Sequence, residues 1–412
     1  MTLSGDSVAI FAEGSLEDQI VELAEYIARS LPEAERAAYV QAAQERVAGE
    51  TSLDEDEGRK KDVVGWVVGE VKGLGEGSER EIEGFFNLLF AQVLQLWEGE
   101  SEQLDSLLNA VSSASGDSTT KYRILSNVFN TLPRTSALRY KIYTTLLTLA
   151  AASSTLPVLQ INRTDIERYL STWDIPTAQK VSFVRQLVSA HEEAGLQAEA
   201  YHYKLVLVRL EGSEDAALDA IATALRQPTT LDFDPLFKLP AVLSSKDTPL
   251  FALLRVFTSG GLSDLEGYKS SSVLGEFKLE YEVLERKMRL LTLGGLAFEN
   301  VGLDVPYAKI AEVLGVEVAS VERWVIDAIR ANLLVGKLAQ TTQTLRVLRA
   351  SPRSFSASEW SNLSSRLTAA RSAIAGVRDT VTAARRRNEA VAQQAVQAAL
   401  AKEEGKVGEV AA

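Results

Sequence analysis

The stretch of residues 281–350 constrains the fold most, because the spacing of its apolar residues changes from helical to strand-like. Its first part predicts three helices, with apolar residues recurring at the i, i+3, i+4 and i+7 positions of one face. The second helix is expected to begin at Pro306, whose missing N–H suits a first helical position, and to end at Gly315. From Leu334 onward the period becomes 2, which predicts two strands joined by a polar turn at residues 340–343.

Three helices followed by a two-stranded ribbon describe a winged helix, which we expect over residues 280–352. The second strand is expected to be the outer one. Unpaired backbone groups on an outer strand can accept a further strand from a partner. We therefore predict a partner-binding edge formed by Leu345, Arg346, Val347, Leu348 and Arg349.

The chain before the winged helix predicts helices of about 15 residues joined by short turns. Ser15 and Ser213 are expected N-caps, Thr164 and Glu167 an expected capping box, and Gly195 the turn of a helical hairpin. Stacked antiparallel pairs, an α-solenoid, are the economical architecture. The predicted fold is all-α with a small β wing, divided into an acidic helical region (1–115), a helical-repeat solenoid (116–279), the winged helix (280–352), a C-terminal bundle helix (353–390) and a flexible tail (391–412).

The predicted C-terminal helix starts at a capping box in residues 356–359 and carries an apolar seam. Its apolar residues are alternately three and four apart from Trp360 to Ala384, which is a heptad pattern sustained over three repeats. Such a seam is longer than one winged helix can cover, so we expect it to pack on a partner. The predicted partner-binding residues are Trp360, Leu363, Leu367, Ile374, Val377 and Val381.

Charge is distributed unevenly along a chain whose net charge is −13. Residues 1–100 contain 22 acidic and 8 basic residues, a net of −14, whereas residues 341–400 contain nine arginines and three acids, a net of +6. The acidic front would repel phosphates. The third helix of the winged helix offers two bases against three acids, which disfavours specific DNA binding.

The residues needed for catalysis or metal binding are scarce. The chain has no cysteine and only two histidines, His191 and His202, which we interpret as packed or surface residues. Gly73, Gly75 and Gly77 superficially suggest a phosphate loop, but glutamates surround them and no Lys-Ser or Lys-Thr pair follows. We therefore predict no enzymatic activity, no catalytic or metal site and no cofactor. Because no leader and no run of 18 apolar residues is found, we expect a cytoplasmic protein without membrane contact.

A helical stack followed by a winged helix and a long C-terminal helix resembles the PCI module. Within that module the chain is similar to the M-subunit family of eukaryotic translation initiation factor 3. The resemblance covers roughly residues 120–380 and is most specific over residues 287–341. The residues that carry it are Lys287-Met288-Arg289-Leu290-Leu291-Thr292, Val325-Ile326-Asp327-Ala328-Ile329-Arg330, Lys337-Leu338-Ala339-Gln340-Thr341 and, nearer the front, Tyr122-Arg123-Ile124-Leu125-Ser126-Asn127.

This resemblance implies a non-catalytic scaffold subunit of initiation factor 3. Its expected partners are other PCI and MPN subunits, joined through winged-helix edges and bundled C-terminal helices, and through the complex the small ribosomal subunit. One alternative is a scaffold subunit of the signalosome or the proteasome lid; the seventh signalosome subunit is the most easily confused relative. The other alternative is a nucleic-acid-binding winged-helix protein. The proteins that co-purify, ribosomal or of the ubiquitin pathway, would distinguish the initiation factor 3 subunit from the signalosome or proteasome-lid subunit.

Overall fold

The computed structural model describes residues 14–48, 52–53, 55–97, 99, 101–353 and 357–410 of the 412-residue chain, with backbone only for 357–359 and 395–410. The predictions for the first 13 residues and for the capping box at residues 356–359 lie outside the described residues. The chain divides into two units, one of Met1–Leu254 with Tyr268–Leu284 and the other of Arg255–Gly267 with Glu285–Ala412.

The first unit consists of helices joined by short turns. A 3₁₀ turn at Leu156–Leu159 precedes the eighth helix. The helices are α1 (Leu16–Arg29), α2 (Glu33–Val47), α3 (Glu57–Glu70), α4 (Glu79–Leu96), α5 (Glu102–Ser113), α6 (Ser118–Thr131), α7 (Leu138–Ala152), α8 (Arg163–Thr172), α9 (Thr177–Glu193), α10 (Gln197–Glu211), α11 (Glu214–Arg226), α12 (Asp234–Phe237) and α13 (Pro240–Ser244). Helices close in sequence pack against one another, as the predicted helical-repeat architecture requires.

Three of the predicted helix boundaries are confirmed, two by cap hydrogen bonds and one by a left-handed backbone angle. Ser15 Oγ accepts from the Asp18 N–H at 3.3 Å, and the Asp18 carboxylate accepts from the Ser15 N–H at 3.1 Å, so α1 begins with a capping box. Ser213 Oγ accepts from the Ala216 N–H and begins α11. Gly195, with a φ of +74°, makes the left-handed turn between α9 and α10.

The predicted capping box of Thr164 and Glu167 is wrong. The N-cap of α8 is Asn162, so Thr164 lies inside the first helical turn. Glu167 instead accepts a 3.0 Å hydrogen bond from Arg163 Nε, four residues earlier on the same helix. A favourable i, i+4 ion pair at the helix surface thus takes the carboxylate that a capping box would need.

One apolar cluster extends through the first unit from Leu16 to Val206. Helices on both sides of residue 115 contribute to it, so α1–α5 and α6–α10 share a core. Aromatic rings fill its later part; Tyr169 and Trp173 stack with centroids 5.4 Å apart, and Phe183 meets Trp173 edge-on at 5.6 Å. Continuous burial of this kind is what holds stacked helical pairs together.

The division between the two units falls inside two further helices, α14 (Pro249–Ser259) and, after α15 (Leu262–Glu266) and α16 (Ser272–Glu276), α17 (Tyr281–Glu299). The second unit then contains β1 (Asp304–Pro306), α18 (Tyr307–Leu314), a 3₁₀ turn at Val318–Ser320, α19 (Val321–Arg330), β2 (Leu334–Ala339), β3 (Thr344–Ala350) and α20 (Ala357–Val410). The predicted helix stop at Gly315 is confirmed by its φ of +62°.

The strands form one antiparallel sheet in the order β1–β3–β2. Val305 lies opposite Leu345 on one side, and Lys337 lies opposite Arg346 on the other. Under the sheet, α18 and α19 bury Ile310, Leu314, Val321 and Val325. The predicted winged helix is confirmed, with a three-stranded sheet where a two-stranded ribbon was expected.

Candidate partner-binding site

The predicted outer strand, β3, is the central strand of the sheet. The Val347 N–H donates to the Leu303 carbonyl at 3.2 Å, and the Gly302 N–H donates to the Val347 carbonyl at 2.8 Å. β2 pairs with the opposite side of β3. The prediction that β3 offers unpaired backbone groups is therefore wrong, because β1 occupies the side that was expected to be open.

The sheet edge that can accept a further strand belongs to β2 instead. β2 is six residues long and pairs on one side with β3; among the described residues no strand pairs with its other side. Leu334–Ala339 therefore has the backbone geometry of an edge strand, which the sequence had predicted for β3.

The five residues predicted for the edge divide into two groups. Leu345 and Val347 are 1% and 0% exposed and belong to the core of the winged helix. Arg346, Leu348 and Arg349 are exposed, and a bulge between the pairs Gly336–Val347 and Val335–Arg349 leaves Leu348 as the extra residue. Only the last three side chains are accessible to a partner.

These accessible side chains join others on β2 to form an outer surface, which we call the wing face. It consists of Val335, Lys337, Arg346, Leu348 and Arg349. Three of the five are basic, and Asp304 Oδ2 lies 3.6 Å from Arg346 Nη1 at one margin. The wing face thus combines two exposed apolar side chains with three positive charges.

The predicted apolar seam on α20 is exposed along its whole length. Between 38% and 70% of each of its large apolar residues is accessible, and Val391, at 64%, continues the same spacing. The seam residues are Trp360, Leu363, Leu367, Ile374, Val377 and Val381. Apolar stripes of this size on a folded chain mark interaction surfaces.

α20 is attached to the winged helix near its beginning. Arg366 Nη2 donates to the Phe298 carbonyl at 2.8 Å, and the guanidinium lies 5.0 Å from the centroid of the Phe298 ring. Among the side chains described after Arg366, each hydrogen bond or ion pair of α20 joins two residues of α20 itself. Over the described side chains after Arg366, the seam is therefore not engaged by hydrogen bonds or ion pairs to the rest of the chain.

α20 continues beyond the expected bundle helix. We expected that helix over residues 353–390, with a tail from 391 to 412 that is helical at first; in the structure α20 runs to Val410. Its 54 residues correspond to about 81 Å of helix. Residues 391–404 are rich in alanine, glutamine and glutamate, which favour helix.

A family model for the PCI domain matches residues 274–349, which contain β1, α18, α19, β2 and all of β3 except its last residue. Over the whole chain, the subunit M of eukaryotic translation initiation factor 3 from Phaeosphaeria nodorum is 30% identical, with 93% of this chain and 91% of that protein covered. The chain belongs to the translation initiation factor 3 subunit M family. The proteins of the same name from Aspergillus terreus and Pyricularia oryzae are 30% and 28% identical, covering 92% and 82% of this chain.

Membership of the subunit M family reaches further along the chain than the residues that suggested it. The predicted resemblance covered roughly residues 120–380, whereas a match over 93% of the chain must include most of the acidic N-terminal region. The shared core of α1–α10 agrees with this, because it does not separate the first helices from the later ones.

The two histidines of this subunit M family member have structural positions, as predicted. His191 is 3% exposed; its Nδ1 lies 2.7 Å from the Leu187 carbonyl, and its ring is 4.9 Å from that of Tyr203. Burial lowers the pKa of His191, which favours the neutral form of its ring. His202 is exposed, and Ser189 donates to Glu193 rather than to His191.

The described residues contain neither a metal-binding cluster nor a helix suited to span a membrane. Within the described parts of the chain, no group of three histidine, cysteine, aspartate or glutamate side chains is placed to hold a metal ion. No helix among the described residues combines the length and the apolarity needed to cross a bilayer.

Sequence reasoning missed two residues that define this site. Asn388 and Val391 extend the heptad spacing beyond Ala384, and both could have been found by continuing the three-and-four count. β1 could not have been found in this way, because three residues are too few to establish a period of 2.

Proposed function

We propose that this chain is a non-catalytic scaffold subunit of the translation initiation factor 3 complex. It holds neighbouring PCI and MPN subunits while the initiation complex assembles on the small ribosomal subunit in the cytoplasm. Family membership supports the identity of the complex. The observation that carries the scaffold role is the exposed heptad seam of α20, because such a seam is covered only when a second helix packs on it.

The winged helix supplies a second contact in this proposal. The open side of β2 can accept a strand of a neighbouring subunit, and the wing face beside it offers positive charge and two exposed apolar side chains. Together with the α20 seam, this gives the chain two separate surfaces for partners. The proposed partners of both surfaces are proteins, and the proposal includes no membrane and no specific DNA.

A function as a nucleic-acid reader finds less support in the winged helix. Its third helix, α19, carries Glu322 and Asp327 beside Arg323 and Arg330. Asp327 is also engaged, because its Oδ2 lies 2.8 Å from Arg286 Nη2. A helix that enters a DNA groove needs a basic surface, which α19 does not present.

The test is the double substitution Leu367→Asp and Ile374→Asp in the full chain, co-expressed with the other factor 3 subunits of its organism. Both side chains are more than 60% exposed, so the isolated chain should fold as before. In the complex, two buried carboxylates would replace apolar contacts, and retention of the chain should fall at least a hundredfold. Native mass spectrometry of the purified complex measures the retained fraction.

The matched control is Ser365→Asp with Ser372→Asp, which adds the same two charges on the side of α20 opposite the seam. This control should be retained like the wild type. Equal retention of both double variants would mean that α20 does not hold the complex together, and the scaffold role would then rest on the winged helix alone.

A further inference from the structure

The heptad frame of α20 assigns each residue a position relative to the seam. The residues at one seam position, a, are Trp360, Leu367, Ile374, Val381 and Asn388. Those at the other, d, are Leu363, Ala370, Val377, Ala384 and Val391. The positions called e and g flank the seam on its two sides, and in a coiled coil they face the flanks of the partner helix.

Between Ser364 and Gln394 the flanks of the seam carry positive charge only; the one acidic flanking residue, Glu359, lies before this range, at the start of the helix. Of the ten e and g positions between Ser364 and Gln394, five are arginine and none is acidic. The arginines are Arg366, Arg371, Arg378, Arg385 and Arg387. The two acids on this part of the helix, Asp379 and Glu389, occupy positions away from the flanks. Charge at flanking positions selects the partner of a coiled coil, so this distribution restricts what can cover the seam.

Four of these arginines are available to a partner. Arg366 is held against Phe298, as described above. Arg378 and Arg385 form ion pairs with Asp379 at 3.2 Å and with Glu389 at 3.1 Å, but all four side chains are at least 59% exposed. Exposed pairs of this kind contribute little free energy, so a partner's carboxylates can replace them.

We propose that the α20 seam is covered by an amphipathic helix of another subunit whose own flanking positions are acidic. This inference rests on the proposed scaffold function and specifies the chemistry of the partner. Glutamate or aspartate at the partner's flanks would pair with Arg371, Arg378 and Arg385 on one side and Arg387 on the other. The e and g positions on α20 therefore select the partner, while the a and d positions supply the buried area.

A second copy of this chain does not meet that requirement. In an antiparallel pair, e positions face e positions, so Arg371, Arg378 and Arg385 of one copy would face the same three residues of the other. In a parallel pair, Arg366 would face Arg371. Neither arrangement supplies a carboxylate, and like charges across a seam oppose association.

Asn388 adds a constraint on alignment. A single asparagine at a seam position costs some stability, and it fixes the register because it must meet a polar group of the partner. Asn388 lies between the apolar seam residues Ala384 and Val391. The covering helix is therefore expected to have a polar seam residue opposite Asn388 and apolar residues at the neighbouring layers.

The first experiment uses Arg371→Glu with Arg378→Glu in the full chain, in the co-expressed factor 3 complex. The matched control, Ser365→Glu with Ser372→Glu and Arg386→Glu, changes the net charge by the same −4 at positions opposite the seam. The flank variant should dissociate from the complex roughly tenfold more readily, because attraction becomes repulsion at two positions. The control should behave like the wild type. Equal loss or equal retention of both variants overturns the proposal.

The second experiment measures selectivity directly, with two labelled synthetic helices about five heptads long and identical apolar seams. One has glutamate and the other lysine at every flanking position, and both have asparagine opposite Asn388. By fluorescence anisotropy, the full wild-type chain should bind the glutamate helix at least about tenfold more tightly, and the flank variant should reverse that preference. Equal affinities overturn the proposal.

Two other occupants are distinguished in the same samples. Sedimentation of the wild type should show a monomer; a dimer abolished by Leu367→Asp with Ile374→Asp would assign the seam to a second copy. Tighter binding of a single-stranded RNA than of the glutamate helix, lost in the flank variant, would assign the arginines to RNA. The scaffold function fails separately, through retention of the seam variant in the complex, whatever the charge preference of the flanks.

Discussion

Arg353 Nη1 donates a 2.7 Å hydrogen bond to the main-chain oxygen of Gly260, 93 residues earlier in the chain. The same guanidinium donates from Nε to the Leu291 carbonyl at 2.8 Å and from Nη2 to Thr292 Oγ1. Burial lowers the pKa of Arg353 to about 10, which leaves it charged at neutral pH. One side chain therefore ties the segment before α20 to the end of α14 and the middle of α17.

Replacing Arg353 with methionine should destabilise this junction by about 1–3 kcal/mol, because three acceptors lose a charged donor. Hydrogen exchange of the full chain should become faster at residues 255–262 and in the middle of α17. Arg349→Met, which removes an exposed arginine from the wing face, is the control and should leave exchange there unchanged. Equal exchange in both variants would show that the three hydrogen bonds do not hold the junction.

Gly75 and Gly65 should respond in opposite directions to alanine. Gly75 has a φ of +78°, and a Cβ there would lie 2.7 Å from Cε1 of Tyr26, whose hydroxyl donates to the Leu74 carbonyl at 2.7 Å. Gly75→Ala should therefore cost about 1–3 kcal/mol. Gly65 lies within α3 with nothing within 4 Å of the added carbon, so Gly65→Ala should stabilise by about 0.5–1 kcal/mol.

Thermal unfolding of the two alanine variants, followed by circular dichroism, checks this pair. The melting temperature should fall for Gly75→Ala and rise slightly for Gly65→Ala. An unchanged or higher melting temperature for Gly75→Ala would contradict the assignment of Gly75 as a turn residue with a special conformation, and a fall for Gly65→Ala would contradict the open space found beside Gly65. A fall for Gly75→Ala would also give a structural reason for the glycine at position 75, one of the three that superficially suggested a phosphate loop.

Lys287 should make the free energy of unfolding rise with pH above neutrality. The residue is 1% exposed, and burial lowers its pKa to about 7 from an ordinary value of 10.5. Between these two values the unfolded chain binds a proton that the folded chain does not, so stability increases with pH. The contribution approaches about 1.4 kcal/mol per pH unit between pH 7 and 9.

Lys287→Met should remove this dependence and raise stability most at pH 7. Lys309→Met removes the same charge from an exposed position and should keep the slope of the wild type. Melting temperatures at pH 7, 8 and 9 measure the difference between the two variants. Parallel curves for the two would show that Lys287 keeps its proton in the folded protein.

Most of the helices could be predicted from the sequence because their ends carry local signals. Ser15, Ser213, Gly195 and Gly315 each act within four residues, through a cap or a left-handed turn. The prediction for Thr164 failed because Glu167 lies three residues after Thr164 and also four residues after Arg163, so the sequence allows either partner, and only the position of the first helical turn decides between them.

The position of β3 could not be predicted because it depends on a strand without a local signal. β1 is three residues long and ends at Pro306, which was interpreted as the first residue of a helix. Pro306 has an extended backbone, with φ −65° and ψ +144°, and immediately precedes α18. The heptad spacing of α20, in contrast, is visible in the sequence, because it is a property of one helix alone; its large apolar residues are exposed, and their role as a partner-binding seam stays a prediction.

The central position of β3 also determines when the sheet can form during synthesis. β1 and β2 pair only with β3 among the described strands, and β3 is the last of the three to be made. Thr344 follows Pro306 by 38 residues, which at about 5–20 residues per second is an interval of about 2–8 s. During that interval β1 has no strand to pair with, and a nascent chain that ends before Thr344 has three helices of the winged helix but no sheet.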